Sequence, residues 1–310
     1  MARHRPNPPA ARLGVSPSCV VLPNLPDGPW QTMGDFLIQR FTGVPASVWL
    51  QRLQHGDVID DAGQVITTST PFQARRRLYY FRAVPHEPRI PFEEVVLWRD
   101  DHLLVVDKPH FLPVMPSGKY LQETVLVRLK NKLGLPDLAP IHRIDRDTAG
   151  LVLFSIQSAT RDAYHALFRR REVSKTYEAI APWNAALLWP MRRESRIEAS
   201  GHFFQQTEVP GEANALTFIQ PIEVIVGEKV GVGEVARYKL KPVTGQRHQL
   251  RVHMAALGLP IVGDGIYPTL TPEGQVDFER PLQLLAKSIE FLDPLNGAKR
   301  HFTSQRQLLF

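Results

Sequence analysis

The segment His142-Arg143-Ile144-Asp145-Arg146-Asp147 gathers a histidine, two arginines and two acids directly ahead of an apolar run, Leu151 to Ile156. The length and branching of that run suit a buried strand, so the polar groups are held against a rigid core. By pattern alone several chemistries are open. Asp145 or Asp147 can simply accept backbone N–H bonds in the turn before the strand, as turn aspartates commonly do. His142, Asp145 and Asp147 can also be imagined as metal ligands of a nuclease. The other close histidines, His248 and His253, are five residues apart and do not share a helix face as His-x-x-x-His ligands do. The order His-Arg-Ile-Asp has a superficial likeness to the kinase H-R-D loop, but the order of the surrounding motifs is wrong for a kinase, and the glycines of Gly231-Val232-Gly233 precede a strand and read as a turn.

The segment 140–154 resembles the H-R-L-D-x-x-T-S-G-L-L-L signature of the RluA-type pseudouridine synthases, with Ile144 for Leu and Ala149 for Ser. Further matches follow in the order of that family. They are Leu104-Val105-Val106-Asp107-Lys108-Pro109 upstream, then Lys175-Thr176-Tyr177, then Thr244-Gly245-Gln246-Arg247-His248-Gln249-Leu250-Arg251-Val252-His253, then Pro260-Ile261-Val262-Gly263-Asp264. Several ordered motifs are much more specific than any one of them.

The resemblance implies conversion of uridine in RNA to its C-glycoside isomer. That reaction breaks the N-glycosidic bond, turns the uracil and rejoins it through carbon, without metal or organic cofactor. It implies Asp145 as the carboxylate nucleophile, Arg251 as the basic partner that keeps it ionised, and Tyr177 as the ring that stacks on the extracted base and serves proton transfer at its carbon 5. It further implies substrate contacts from His142, Arg143, Thr148, Lys175, Arg247, His248 and Gln249. One departure stands out: the family pattern T-G-R-x-H-Q here reads with the arginine shifted by one residue to Arg247, which leaves Gln249 and Arg251 in register.

The elements that must position these groups read as follows. Residues 1–30 hold seven prolines, Pro6 to Pro29, and form an extended arm without regular helix. From Met33 to Tyr80, Phe36, Leu37 and Phe41, then Val48, Trp49 and Leu53, have helical spacing, and Gly56 to Gly63 reads as strand and turn. Two short helices and a hairpin over residues 31–84 resemble a small S4-type RNA-binding module, with Arg40, Arg52 and Arg75 to Arg77 as phosphate contacts. An ordinary helical cap with solvated arginines is the other reading. Pro85 to Pro91 reads as a linker, and residues 85–310 as the catalytic domain.

Within that domain Val95 to Trp98 and Leu103 to Val106 are expected to pair. Gln122 to Leu133 is expected as an amphipathic helix with Arg128, Lys130 and Lys132 outward, and a second helix is expected from a Ser158 cap to Arg171. Strands are expected at Tyr177 to Ala181, Ala215 to Val226, Val235 to Leu240 and Leu282 to Phe291, with a helix from Arg247 to Leu257 that puts Arg247 and Arg251 on one face. Many strands with few helices between them predict an α+β fold on a mainly antiparallel mixed sheet with flanking helices.

Composition is compatible with that reading. The chain has 310 residues, 43% hydrophobic and 22% charged, which suits one large or two ordinary soluble domains. Lys and Arg number 37 against 31 acids, a net +6, and with a pI of about 9.5 this suits a polyanionic partner. The single cysteine, Cys19, excludes an internal disulfide framework and fits a reducing compartment. The prolines at the N-terminus leave no apolar segment for a secretory signal, and no run reaches the length of a membrane span. The sequence thus predicts a cytoplasmic RNA uridine isomerase, monomeric or weakly associated, acting on ribosomal or transfer RNA. A catalytically idle RNA-binding relative is the alternative.

Overall fold

The computed structural model describes residues 9–82, 84, 87–201, 205–225, 234–271 and 277–309. The run Gly231 to Gly233, residues 1–8 of the arm, and Pro85 and His86 of the linker lie outside them.

The two helices of the N-terminal region form where their spacing predicts. Helix α1 (Met33–Arg40) starts at a closed capping box, in which the Thr32 hydroxyl accepts from the Asp35 N–H and the Asp35 carboxylate accepts from the Thr32 N–H. Helix α2 (Ala46–Gln54) follows, and Phe36, Leu37, Trp49 and Leu53 close over a small antiparallel sheet. Its order is β1 (Ser18–Val21), β3 (Arg77–Tyr80), β2 (Val58–Asp60). Strand β1 comes from the proline-rich arm, which is extended as expected but belongs to the module's sheet. The second half of the linker is docked: Glu87 accepts from the N–H groups of Leu121, Gln122 and Glu123, and Ile90 is buried.

The second sheet has eleven strands among the described residues. Its path runs β10 (Gln206–Val209), β9 (Met191–Ala199), β11 (Ala215–Ile225), β12 (Val235–Pro242), β8 (Ser174–Pro182), β13 (Leu284–Leu292), β7 (Ala149–Ser155), β5 (Leu103–Lys108), β4 (Val95–Arg99). Strand β14 (Lys299–Thr303) pairs with β13 and β6 (Ala139–Pro140) with β7. Strands β7 and β13 run parallel, and the other pairs described are antiparallel, which is the mixed, mainly antiparallel sheet expected.

Strands β5 and β7 are buried on both faces, which is why they read as unbroken apolar runs. Leu104, Val106, Val152 and Phe154 pack with Val125 and Leu129 of α3 (Val125–Leu133). Leu103, Val105, Leu151 and Leu153 pack with Tyr164 and Leu167 of α4 (Arg161–Arg169). Each such side chain contributes about 1.5–3 kcal/mol relative to exposure. Helix α5 (Gln249–Ala256) sits over Ala179, Ile219, Tyr238 and Leu284.

Four local expectations are corrected. Arg128 points inward, where it bonds Glu123, Glu94 and the Ile90 and Phe92 carbonyls, so the arginine is spent tying α3 to the linker. The cap of α4 is Thr160, not Ser158. Helix α5 begins at Gln249, so Arg247 precedes it and shares no helix face with Arg251. Strands β9, β10 and β14 were not anticipated; β9 carries Arg192, Arg193, Glu194, Arg196 and Glu198 and looks like a solvated segment until its cross-strand pairing is seen.

Candidate active site

The acidic loop is fixed at both ends by backbone. Gly150 has φ of 106°, and a Cβ there would lie 2.3 Å from the Ala286 carbonyl oxygen of β13, so only glycine lets β7 pass its parallel neighbour this closely. On the other side Lys108, fully buried at the end of β5, donates from Nζ to the carbonyls of Pro109, Leu112 and Arg146, each at 2.8 Å. The third bond pins the loop itself. Burial pushes the Lys108 pKa down to about 7, against the opposing pull of Asp147 and Asp145.

Asp145 is partly open to the cleft, and its carbonyl accepts from the Thr148 N–H at 3.2 Å. Its carboxylate faces Arg251 of α5, which is 106 residues away in the chain, with Nη1 at 3.4 Å from Oδ2. Arg251 is 2% exposed. Its Nε and Nη2 are held bidentately by Asp264, at 2.8 and 2.6 Å, so that the remaining nitrogen is directed at Asp145. Burial works against the charge on Arg251; the Asp264 bonds and the Asp145 field outweigh it and raise its pKa. Asp264 is itself set by the N–H groups of Ile266 and Tyr267. The Tyr267 ring lies 5.4 Å from the guanidinium carbon, and its hydroxyl accepts from the Gln206 N–H and lies 2.9 Å from His248 Nδ1. His248 Nε2 is 3.9 Å from Asp145 Oδ1.

Tyr177, on β8, packs against both the α3-side and the α5-side cores. Burial and then the nearby Asp145 charge raise its pKa, so the phenol is held protonated.

The remaining expected site residues divide by what their side chains already do. His142 Nε2 accepts from the Leu153 N–H, its ring stacks on Phe168 at 4.8 Å, and burial with the Lys175 charge pushes its pKa down to about 3. Gln249 is spent entirely within the protein: Oε1 accepts from Thr244 Oγ1 and the Gln246 N–H, and Nε2 donates to the Leu216 carbonyl and Thr217 Oγ1. Thr148 is buried. Lys175 donates to the Thr244 carbonyl at 3.3 Å, and burial lowers its pKa. Arg247 and Arg143 are exposed. Asp147 is bonded by its neighbour Arg146, so Arg143 has no carboxylate partner among the described residues.

In the sequence Lys108 and Asp264 stand only as letters of motifs, and no pattern singles out Tyr267. The available signal was Gly263-Asp264. Gly263 has φ of 76° and would clash with the Pro281 carbonyl if it carried a Cβ, which marks a turn built to aim the next residue.

Comparison with known proteins points to one family. The family described as RNA pseudouridylate synthase matches residues 102–256. The chain is 31% identical over 225 residues to the dual-specificity RNA pseudouridine synthase RluA of Yersinia pestis, covering 69% of this chain and 99% of that one. It is 30% identical over 237 residues to the uncharacterized RNA pseudouridine synthase slr1592 of Synechocystis, covering 76% of this chain and 79% of that one. Among solved structures, human RNA pseudouridylate synthase domain containing 1 shares the fold, with a TM-score of 0.57 at 21% identity over 71% of this chain and 86% of that one. A carboxylate aimed by a buried arginine beside a protonated tyrosine, in a chain with these relatives, makes the protein a member of the RluA-type RNA pseudouridine synthases, isomerases that act on RNA.

Proposed function

We propose that Asp145 is the nucleophilic carboxylate of this isomerase, acting on uridines of ribosomal or transfer RNA that are turned out of their stack. The observation that carries this reading is the Arg251 fork: two nitrogens fixed on Asp264 leave the third, at 3.4 Å, for one oxygen of Asp145. A cation so placed keeps the carboxylate ionised and fixes its direction. Tyr177 offers a ring face to the extracted uracil and a hydroxyl through which the proton leaving carbon 5 is passed on toward N1, which gains one as the N1–C1′ bond is exchanged for C5–C1′. Atoms and electrons balance without a redox partner. Arg143, exposed beside the loop, fills the space the base leaves.

Charge and relatives both support ribosomal or transfer RNA as the substrate class. The net positive charge suits a polyanion, and similar proteins include the mitochondrial tRNA pseudouridine(32) synthase of Saccharomyces cerevisiae, 28% identical over 258 residues. The module over residues 31–84 reads as S4-like and adds phosphate contacts outside the cleft. The lone cysteine suits the cytoplasm.

The test is incubation of the full chain with ribosomal and transfer RNA transcripts, followed by site-resolved detection of pseudouridine. Wild type should modify discrete positions and Asp145→Asn none. A variant that modifies RNA as fast as wild type removes Asp145 from the chemistry.

A further inference from the structure

One residue at the site is placed in a way that neither charge nor burial explains. His248 sits at the N-cap of α5 with φ of 56°, the left-handed region, and its side chain makes no capping bond to the helix. That conformation is unfavourable for an L-residue, although histidine tolerates it better than most. It turns the ring away from the helix end and into the space between Tyr267 and Asp145.

The hydrogen-bond pattern favours one tautomer of the ring. The Tyr267 hydroxyl has one proton and accepts from the Gln206 N–H at 2.7 Å. Among the described residues the remaining hydrogen-bond partner of that hydroxyl is His248 Nδ1, at 2.9 Å. If Tyr267 donates there, Nδ1 is unprotonated and the proton of the neutral ring is on Nε2, the atom that faces Asp145. We propose that His248 is a positioning residue for the catalytic carboxylate: held by Tyr267 as the neutral Nε2–H tautomer, it gives Asp145 Oδ1 a second donor, opposite the one that Arg251 gives Oδ2.

The separation of 3.9 Å from Nε2 to Oδ1 is longer than a hydrogen bond, as catalytic contacts often are before substrate closes the site. Donors on both oxygens stop the carboxylate from rotating, which one arginine nitrogen alone does not do. Neutrality matters as well. A second full cation beside Asp145 would stabilise its charge further and blunt its nucleophilicity, whereas an N–H dipole orients it at smaller cost. Burial, the largest influence on His248, lowers its pKa and so favours the neutral ring; Asp145 and Asp264 oppose this and Arg251 and Arg247 add to it. Tyr267 thereby serves both donors, with its ring on Arg251 and its hydroxyl on His248.

This inference rests on Asp145 being the reacting carboxylate, and its test separates the two. In nitrogen-15 NMR of the labelled full chain without RNA, assigned by loss of signal in His248→Gln, Nε2 should be protonated and Nδ1 bare; in Tyr267→Phe the ring should become a mixture of tautomers. A proton on Nδ1 in wild type overturns the proposal whatever RNA the enzyme acts on. In single-turnover reactions at saturating RNA His248→Leu should slow conversion about ten- to hundredfold, the range for losing a hydrogen bond to a charged group. His248→Gln, whose amide N–H can stand in for Nε2–H, should recover most of that loss. His248→Leu turning over at the wild-type rate, or His248→Gln as slow as His248→Leu, would overturn it too. If Asp145→Asn proves active, the function reading fails on that result, and the tautomer is still decided by the NMR.

Discussion

Arg251 in the cleft and Arg76 in the N-terminal module each face two aspartates, and they have opposite physical standing. Arg76 reaches Asp60 at 2.8 Å and Asp61 at 3.8 Å with 39% of its side chain exposed, and Asp60 is also a turn acceptor for the N–H groups of Ala62 and Gln64. Arg251 is 2% exposed, doubly bonded to Asp264 and left one nitrogen short of full satisfaction, with Asp145 on the open side. In the first arrangement Asp60 is buried but keeps two turn N–H bonds, and the half-exposed arginine is partly screened, so the pair contributes about 1–2 kcal/mol. In the second, low dielectric makes each bond matter, and the unequal distances to its two acids distinguish an anchor from a reacting group. The lesson is that an arginine between two acids says little in a sequence until burial is known.

The largest effect that would break this comparison is at Asp145 itself. Asp145→Asn keeps shape and volume and removes the charge, so turnover should fall by about a thousandfold or more, equivalent to about 4 kcal/mol of barrier. RNA binding and the urea unfolding midpoint should stay close to wild type, because Asp145 is solvent-accessible and not part of the buried anchor. A large loss of stability would mean that Asp145, like Asp264, is structural.

Next in size is the pair of truncations Arg251→Leu and Arg76→Leu. The first leaves Asp264 buried without its cation and should cost about 3–5 kcal/mol of stability, along with activity. The second leaves the buried Asp60 with its two turn N–H donors and should cost less, about 1–2 kcal/mol. Urea denaturation of both variants checks the contrast directly, and equal losses would erase the distinction drawn between the two sites.

Acid should act on the catalytic half by a separate route. His110, His142 and His253 are held neutral, with pKa values pushed down to about 4, 3 and 4 chiefly by burial. In the unfolded chain they titrate near about 6.5, so below that pH the unfolded state binds protons the folded state does not. The stability of these groups is therefore complete above about pH 6.5 and is lost as pH falls toward 4, by up to about 1.4 kcal/mol per pH unit for each histidine. Unfolding midpoints at pH 7, 6 and 5 measure the slope. His142→Gln, which can still accept from the Leu153 N–H, should flatten it, and an unchanged slope would take His142 out of the account.

These contrasts also show what was legible in the residues. Strands β5 and β7 are apolar on both faces and could be read directly, as could α1 and α2, whose buried sides repeat with helical period. Helix α5 could not be bounded in the same way: Gln249, Arg251 and His253 are buried along with its apolar residues, so its period carries no inside and outside. Pattern alone makes Arg251 an exposed helical arginine, and only the motif pointed inward. The Asp264 and Tyr267 support was hidden because a bidentate clamp depends on three-dimensional aim, which a letter thirteen residues downstream does not encode. Arg128 misled for the converse reason, since its acid partners, Glu94 and Glu123, come from the linker side and from before the helix.

Smaller effects test the exposed cations. Arg143→Ala should leave stability unchanged, because the side chain has no partner to lose among the described residues. If Arg143 holds the uridine out of its stack, turnover should fall about tenfold or more on a structured RNA, in line with the few kcal/mol needed to extract a base, and little on an unstructured oligonucleotide. Equal losses on both substrates would leave Arg143 as a general phosphate contact.

The smallest effect expected is on the salt dependence of RNA binding when the N-terminal module is removed. Most of the arginines that could touch phosphate there already have partners: Arg76 its aspartates, Arg75 the Asn24 side chain, Arg12 the Asp57 carboxylate, and Arg52 the rings of Trp49 and Tyr80. Arg40 is exposed and, among the described residues, meets only the Phe41 ring. Each phosphate neutralised on a single strand adds about 0.7 to the slope of log affinity against log salt. Deleting residues 1–84 should therefore weaken binding modestly and flatten the slope by about one contact, leaving activity at high RNA concentration. Truncation also uncovers Leu121 and Val127, on which Val15 packs, so Arg40→Ala in the full chain provides the same reading without that disturbance. An unchanged slope in both would make the module a structural cap. A change of several contacts would mean that its ion pairs open on RNA, and that the screened pairs around Arg76 are exchanged for phosphate while the buried pair around Arg251 is not.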